Sequence, residues 1–246
     1  LLADNRPSYS LIIIRERSED LDDLLTEISA LIEISDEDIK RFQKRLTRRK
    51  PYERTPLKFN LSEQERGVLA VNGYRLEGAE VSARLTRFYP QQKLFAHVIG
   101  YVGRINERES QQIDPVAYSG TDSIGKIGLE KFYEDKLLGT VGTEHVETNA
   151  RGRVMRILEN VSPKPGTKLT MHLDSKLQQV AHQAFEDERG ALVAIDIKTG
   201  GILSMVSAPS YDPNLFVSGI SQKDYNQLLN SPDRPLFDRA IRGQYP

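Results

Sequence analysis

The chain has 246 residues, of which 38% are hydrophobic and 28% charged, a composition typical of soluble globular proteins and long enough for one large domain or two smaller ones. Its formal net charge of −1 does not favour nucleic acid or an anionic membrane as a partner. The absence of cysteine excludes disulfides, thiolate metal sites and cysteine nucleophiles. Because there is no initial methionine, signal peptide or apolar run that could span a membrane, we expect a fragment whose targeting segment lies outside it.

The first part of the chain predicts one strand and three helices. Acidic residues open the first two helices and basic residues close the second, an order that suits the helix dipole. Ser62 and Glu65 fit a capping box, and Pro51 is predicted to end the second helix. The predicted elements are a strand over 8–14 and helices capped by Ser18, Ser35 and Ser62.

The middle of the chain predicts short elements joined by loops. Apolar residues alternate with polar ones from Glu80 to Thr86, which is typical of a half-buried strand. Gly139 is predicted to end a helix. The predicted elements are a strand over 80–86, a short helix over 94–99, a loop over 106–124 and a helix over 129–137.

The last part predicts a hairpin, a helix and a second hairpin. The first hairpin covers 142–158 and turns at 149–152. Asp174 is predicted to cap a helix to Glu188, with Leu177, Val180, Ala181, Ala184 and Phe185 facing inward. Apolar strands over 191–197 and 202–208 are predicted to be buried on both faces. Beyond Pro209 the chain reads as irregular, and a domain boundary is predicted near 170.

Two groups of polar residues are weak candidates for binding sites. The four histidines, His97, His145, His172 and His182, have no spacing typical of metal ligands, so we expect no metal site. The basic run between Lys40 and Lys50 could bind anions, but it falls at a helix C-terminus and lacks interleaved aromatic residues. A solvated face is the preferred interpretation, and no nucleic-acid partner is expected.

One pair of motifs resembles a catalytic site but is rejected. Penicillin-interacting enzymes use S-x-x-K, then S-x-N, then K-T-G. The chain contains Ser123-Ile124-Gly125-Lys126 and later Lys198-Thr199-Gly200, but no S-x-N. Gly125 and Gly128 disfavour a helix around Ser123, and Lys198 falls in a predicted hairpin turn. We therefore assign no catalytic residue, no cofactor-binding residue and no metal ligand to this chain.

The remaining signals are longer and more specific. They fall at residues 87–90, 97–103, 125–130, 133, 137, 139, 142, 151–153, 165–166, 173–174, 177–178, 190–191, 196, 199–200, 205, 207, 209, 212–214, 216, 238–240 and 243–246. With its motifs in this order, the chain resembles the class B penicillin-binding proteins. Within that class it is most similar to the subgroup that serves rod elongation. The resemblance covers nearly the whole chain, although Asp238 stands where the family commonly has asparagine.

The resemblance implies an α+β protein with two parts. Residues 1–170 are expected to form an elongated, non-catalytic pedestal with an inserted helical head at roughly 15–75. Gly125, Gly128 and the turn at 151–153 would shape that pedestal. Residues 171–246 are expected to be the first helix and β-hairpin of a transpeptidase domain, which has a five-stranded antiparallel sheet in the family. The chain stops at Pro246, just before the family's catalytic serine.

The resemblance also implies a function for the parent protein. We expect a peptidoglycan D,D-transpeptidase that cross-links stem peptides during cell elongation through an acyl-serine intermediate. β-Lactams are expected to acylate the same serine. The family is held in the inner membrane by a single helix, here outside the chain, and faces the periplasm. The pedestal is expected to contact a RodA-type glycosyltransferase and the scaffold protein MreC. The 246 residues alone are expected to be inactive.

Two other readings remain open. The chain could be a stand-alone interaction module without enzymatic activity, which a continuation past Pro246 into G-S-x-x-K would exclude. Alternatively, Ser123 and Lys126 could form a small acyl enzyme, and labelling by a penicillin that is lost in Ser123→Ala would support that. One hairpin cannot close a five-stranded sheet, so we expect an exposed strand edge and further sequence downstream.

Overall fold

The computed structural model describes residues 1–47, 49–148 and 154–244. The chain divides into two compact units, an inserted unit of Asn5–Arg87 and a main unit of Leu1–Asp4 with Phe88–Pro246. The turn predicted at 149–152, the turn at 151–153 and the last two residues of the tail motif lie outside the described residues. The predicted α+β class is confirmed, since helices alternate with small antiparallel sheets.

The inserted unit consists of a three-stranded sheet and three helices. Its elements are β1 (Asp4–Ile13), α1 (Leu21–Leu31), α2 (Asp36–Leu46), β2 (Thr55–Lys58), α3 (Glu63–Asn72) and β3 (Ala79–Phe88), with a 3-10 turn at Arg15–Arg17. Strand β1 is central, and β2 pairs with it in antiparallel fashion. The core is formed by Leu11, Ile13, Leu24, Ile28, Ile32, Phe42, Leu57, Leu61, Leu69 and Leu76.

Helix caps in the inserted unit agree with the sequence at two of three positions. Ser35 accepts from the Asp38 N–H, and the capping box of Ser62 and Glu65 is present. The prediction of Ser18 as a cap was wrong. Asp20 caps α1 by accepting from two backbone N–H groups, whereas the Ser18 Oγ donates to the Asp20 carbonyl oxygen. Helix α2 ends at Leu46, before the predicted stop at Pro51.

Strand β3 is present, but its apolar residues do not face the core. Val81 is 39% exposed and Leu85 70% exposed. Alternation predicts which residues share a face of a strand, whereas coverage of that face depends on the neighbouring elements. The elements that pack on this sheet leave Val81 partly exposed and Leu85 largely exposed.

In its described residues, the main unit consists of short helices and three two-stranded sheets. Its first elements are α4 (Ala96–Ile99), β4 (Tyr101–Arg104), α5 (Glu107–Ser110), β5 (Ser123–Ile127), α6 (Gly128–Phe132), α7 (Glu134–Leu137), β6 (Thr143–Thr148) and β7 (Val154–Val161). The later ones are α8 (Ser175–Gln183), β8 (Gly190–Ile195), β9 (Ile202–Ala208), α9 (Asn214–Val217), α10 (Gln222–Leu229) and α11 (Arg239–Arg242). The antiparallel pairs are β4–β5, β6–β7 and β8–β9.

Several predictions for the main unit need correction. The loop predicted over 106–124 contains α5, which Asn106 caps, and the helix predicted over 129–137 is divided at Tyr133 into α6 and α7. The segment beyond Pro209 contains three helices rather than irregular chain. Apart from α10, these helices have only four or five residues, and one turn is too brief to display an apolar stripe.

Helix α8 begins at the predicted cap but buries a different face. Asp174 caps it, yet it ends at Gln183 rather than Glu188. Leu177 and Val180 are exposed, whereas Gln178 is 1% exposed. The prediction that Leu177 and Val180 face inward was therefore wrong, because the apolar residues occupy more than the one face that β9 covers.

Gly125 of β5 lies where the strand and helix α6 approach each other closely. A Cβ on Gly125 would lie 2.3 Å from the carbonyl oxygen of Glu130, at the start of α6. The Gly125 N–H donates to Glu134 Oε2 at 2.8 Å, and the Tyr118 hydroxyl donates to Glu134 Oε1 at 3.0 Å. Burial raises the pKa of Glu134, although both donors act to lower it. The glycine thus serves the packing of β5 against α6.

Candidate functional site

The serine and lysine in S-x-x-K spacing lie on a strand rather than a helix. Ser123 and Lys126 both belong to β5, where residues three apart point to opposite faces. The Lys126 Nζ donates to Glu109 Oε2 at 2.5 Å, and the Ser123 Oγ donates to Asp122 at 3.2 Å. The amine and the hydroxyl therefore engage separate carboxylates, an arrangement unlike a nucleophile hydrogen-bonded to its base.

The Lys198-Thr199-Gly200 segment forms the turn between β8 and β9, as the sequence predicted. Asp196 organises it by accepting from the Thr199 hydroxyl at 2.7 Å and from the Lys198 N–H at 3.0 Å. These two hydrogen bonds lower the pKa of Asp196. Gly200 has a φ of +72°, the left-handed conformation that glycine tolerates. The segment is an exposed turn and not a strand facing a cleft.

The structure shows where the described histidines and two arginines of the basic run lie. Among the described residues, no three His, Asp or Glu side chains converge as metal ligands. In the basic run, Arg41 pairs with Glu37, while Arg45 donates to the Pro56 carbonyl at 3.0 Å and covers the Phe59 ring. Arg48 lies outside the described residues.

Gln178 is a buried polar side chain that the sequence analysis did not single out as functional. Its Nε2 donates to the carbonyl oxygens of Leu94 at 2.9 Å and Met205 at 2.8 Å. Its Oε1 accepts from the Ser204 hydroxyl at 2.9 Å and from the Met205 N–H at 2.8 Å. All four hydrogen-bonding positions of the amide are used. Gln178 therefore ties α8 both to β9 and to the turn before α4.

A second set of polar contacts joins residues 89–93 of the main unit to residues 210–214. Asn214 exchanges two hydrogen bonds with the Tyr89 backbone, accepting from its N–H at 2.9 Å and donating to its carbonyl oxygen at 3.0 Å. The Tyr89 hydroxyl accepts from the Val102 N–H at 2.9 Å. The Ser210 hydroxyl donates to the Lys93 carbonyl oxygen at 2.8 Å. Hydrogen bonds between side chains and the backbone thus connect segments that are distant in the chain.

Around α11, a buried arginine organises the chain between β9 and the tail. The Arg239 guanidinium donates to the carbonyl oxygens of Asp233 at 2.6 Å and Arg234 at 3.2 Å. The Arg239 N–H donates to the Ser207 hydroxyl at 3.0 Å, and Asp238 caps α11 by accepting from two backbone N–H groups. The role of Asp238 is therefore that of a helix cap.

His97 packs beside this cap from α4. Its ring meets Tyr211 edge-on at a centroid distance of 5.3 Å, and its Nε2 is buried without a hydrogen-bond partner in the described part of the chain. Burial lowers the pKa of His97, although the Asp238 carboxylate and the Pro209 carbonyl oppose this effect. A neutral imidazole in this position requires no counter-charge.

The inserted unit contains an open groove of about 620 Å³ between α3 and the sheet. Small residues of α3 line one wall, and β1 and β3 line the other. The lining includes Tyr9, Leu11, Gly67, Ala70, Gly73 and Val81. The Arg66 guanidinium lies 3.9 Å from the centroid of the Tyr9 ring at its rim.

The sequence matches two family models. The model of the penicillin-binding protein dimerisation domain matches residues 1–171, and that of the penicillin-binding protein transpeptidase domain matches residues 190–246. The chain belongs to the penicillin-binding protein family. These matches confirm the resemblance to penicillin-binding proteins that was drawn from the sequence.

Curated relatives in this family match the chain from end to end. It is 44% identical to the peptidoglycan D,D-transpeptidase MrdA of Acinetobacter baumannii over 246 residues, and 42% identical to MrdA of Escherichia coli K12 over 249 residues. All of the chain is covered in both comparisons, but only 37% and 39% of the two relatives. The chain therefore spans less than half the length of these curated penicillin-binding proteins.

Solved structures of the family agree. Penicillin-binding protein 2 of Helicobacter pylori in complex with MreC is 26% identical, with a TM-score of 0.77 over 97% of this chain and 45% of that one. Penicillin-binding protein 2 of Pseudomonas aeruginosa in complex with WCK 5153 is 50% identical, with a TM-score of 0.58 over 66% of this chain and 32% of that one. The fold described above is that of this family.

Proposed function

We propose that the chain is the N-terminal part of a peptidoglycan D,D-transpeptidase that cross-links stem peptides during cell elongation. The observation that carries this proposal is the identity of 44% to MrdA along the whole chain. The 1–170 pedestal, its head at 15–75 and the start of the transpeptidase domain at 171 are kept as proposed boundaries.

The proposed chemistry belongs to a serine just past Pro246. That serine attacks the D-alanyl-D-alanine carbonyl with a lysine as base, backbone N–H groups hold the oxyanion, and D-alanine leaves. The amine of a second stem peptide then takes the acyl group and forms the cross-link. The polar contacts around Gln178 and Arg239 support a positioning role for this chain, since they hold α11 near the start of the proposed reactive segment.

The proposed partners are an MreC-type scaffold and a RodA-type glycosyltransferase. Support for the first comes from the Helicobacter pylori protein solved with MreC, which matches 97% of this chain through 45% of its own length. Exposed apolar residues suit a docking role, notably Val71 at 75% and Tyr74 at 83% exposed on and after α3. A stand-alone interaction module remains the second candidate, because the two sequence motifs that resemble a catalytic site lie on a strand and in a turn.

The proposed location is the periplasmic face of the inner membrane. The relatives named MrdA act on peptidoglycan, which supports a place in the cell envelope. No helix among the described residues is long and apolar enough to cross a membrane. A single membrane-spanning helix outside this chain is part of the proposal, because the family resemblance implies one.

Intact mass spectrometry with and without a β-lactam tests the proposal. We expect the whole protein to gain the mass of one β-lactam, and the 246-residue chain of 27.9 kDa to gain none. Ser123→Ala in the whole protein is the matched control and should still gain one adduct. Absence of any adduct on the whole protein would favour the interaction module, and an adduct that disappears in Ser123→Ala would favour a small acyl enzyme.

A further inference from the structure

Arg239 is a buried cation whose hydrogen bonds go to backbone carbonyls. Its exposed fraction is 9%, and its guanidinium donates to the carbonyl oxygens of Asp233, Arg234 and Phe237. A buried charge is costly unless several hydrogen bonds compensate it. The rigid fork of a guanidinium can reach several carbonyls at once, which a lysine ammonium on a flexible stem does less well. The contacts close the chain from 233 to 239 into one compact turn.

Ser207 fastens this turn to the sheet. Its hydroxyl accepts from the Arg239 N–H at 3.0 Å and donates to the Phe237 carbonyl oxygen at 3.3 Å, and the residue is 4% exposed. Ser207 lies on β9, so the start of α11 is fixed to that strand by a side chain buried at their junction.

Strand β9 is in turn fixed by Gln178. The amide spans Leu94, Ser204 and Met205 through the four hydrogen bonds described above, so β9 cannot slide along α8 without breaking them. A continuous series of contacts therefore runs from Leu94 through Gln178 and β9 to Ser207 and Arg239. Every member is buried or borders a buried group, which keeps water from competing for the hydrogen bonds.

We propose that Arg239 is a positioning residue that sets the approach of the serine nucleophile, acting through the turn it closes and supported by Ser207 and Gln178. This inference rests on the proposed function, which places the nucleophile just past Pro246. Arg239 begins α11, which ends at Arg242, and the proposed position of the serine follows a few residues later in the sequence. A displacement of about 1 Å in a reacting group can cost on the order of 100-fold in rate.

The test is acylation of the whole protein by a fluorescent penicillin, resolved into the dissociation constant of the initial complex and the acylation rate constant. Arg239→Lys keeps the charge but loses the fork. We expect it to lower the acylation rate constant by about 10- to 100-fold, with the dissociation constant changed by less than about 3-fold. Arg242→Lys, on an exposed residue of the same helix, is the matched control and should leave both constants unchanged.

A second pair of variants keeps the proposal testable if Arg239→Lys fails to fold. Ser207→Ala removes only the hydroxyl that joins Arg239 to β9, and it should lower the acylation rate constant in the same way, by about 3- to 10-fold. The fraction of folded protein is measured by thermal unfolding for each variant. An acylation rate constant equal to wild type in a folded variant of Arg239 or Ser207 would reduce these residues to structural supports and overturn the inference.

The two proposals fail in distinguishable ways. A wild-type whole protein that no penicillin acylates would overturn the proposed function, and the inference with it. A wild type that is acylated, with variants equal to it, would overturn the inference alone. A rate loss in Arg242→Lys as large as that in Arg239→Lys would also overturn it, because the effect would then belong to the helix in general.

Discussion

Single buried polar residues decide how the main unit is held together. Gln178, Arg239 and His97 are each at most 9% exposed, yet each belongs to a residue type that is usually at the surface or only partly buried. Gln178 lies beside the predicted inward residues of α8 and not among them, so the apolar pattern gave no signal that this amide would be buried. Sequence reasoning identified the helix and included positions 177–178 among the specific signals, but it did not predict the burial or the partners of Gln178, because those partners come from segments distant in the chain.

His97 should make the stability of the chain depend on pH. Burial lowers its pKa in the folded state, so the unfolded chain binds more protons between that pKa and about 6.5, its ordinary value. The contribution of His97 is therefore present above about pH 6.5 and is lost as pH falls. We expect His97→Gln to lose less stability than wild type when the pH is lowered from 7.5 to 5.

Urea unfolding at the two pH values measures this difference. The relevant quantity is the change in unfolding free energy between pH 7.5 and 5, compared between wild type and variant, since other groups titrate in both. His145→Gln, which removes a largely exposed imidazole on β6, serves as the control variant. Equal pH dependence in wild type and His97→Gln would contradict the assignment.

Helix starts were the most predictable elements. Ser35, the Ser62 and Glu65 box and Asp174 all cap helices as the sequence indicated, because capping depends on a few neighbouring residues. The start of α1 was misplaced by two residues. Ser18 and Asp20 are both residue types that cap helices well. Which of them does so depends on where the 3-10 turn that follows β1 ends.

This correction predicts unequal effects of two alanine substitutions. Asp20→Ala removes an acceptor of two backbone N–H groups and should cost about 1 kcal/mol of stability. Ser18→Ala removes an exposed hydroxyl that donates to a carbonyl oxygen and should cost less than about 0.5 kcal/mol. Urea unfolding followed by circular dichroism compares them, and a larger loss in Ser18→Ala would restore the original prediction.

Faces of elements were less predictable than the elements themselves. The alternation in β3 and the stripe on α8 were read as inward faces, but Leu85 and Val180 are 70% and 62% exposed. Both strands of the β8–β9 hairpin were predicted to be buried on both faces, but only the later residues of β9 are buried and Val193 of β8 is 45% exposed, so the prediction was wrong for β8. Periodicity in the sequence predicts which residues share one face of a helix or strand. Whether that face is buried depends on the elements that pack against it.

At the scale of the whole molecule, the inserted unit has the properties of a separate folding unit. Its core of ten buried residues lies entirely between Leu11 and Leu76. Its two ends lie together, since an Arg87 guanidinium nitrogen is 3.4 Å from the Asn5 side-chain oxygen. A unit with its own core and adjacent ends can be exchanged or excised with little effect on its fold.

We predict that residues 5–87 fold without the rest of the chain. The excised segment should show cooperative thermal unfolding by circular dichroism. Phe42→Ala, at a side chain 0% exposed, should cost about 3 to 5 kcal/mol and unfold much of a domain this small. Tyr74→Ala, at a side chain 83% exposed, is the matched aromatic control. A non-cooperative wild-type segment would contradict the prediction.

The sequence by itself determined the family, the α+β class and most helix caps. Helix caps, turns and motif spacing depend on residues that are close together in the chain, so the sequence alone is enough to recognise them. The tertiary structure alone decided that Gln178 bridges α8, β9 and Leu94, and that Arg239 closes the turn before α11. Those contacts join residues up to 84 positions apart, as Gln178 and Leu94 are. Burial makes each unsatisfied polar group costly, and only the folded chain brings its partners within reach.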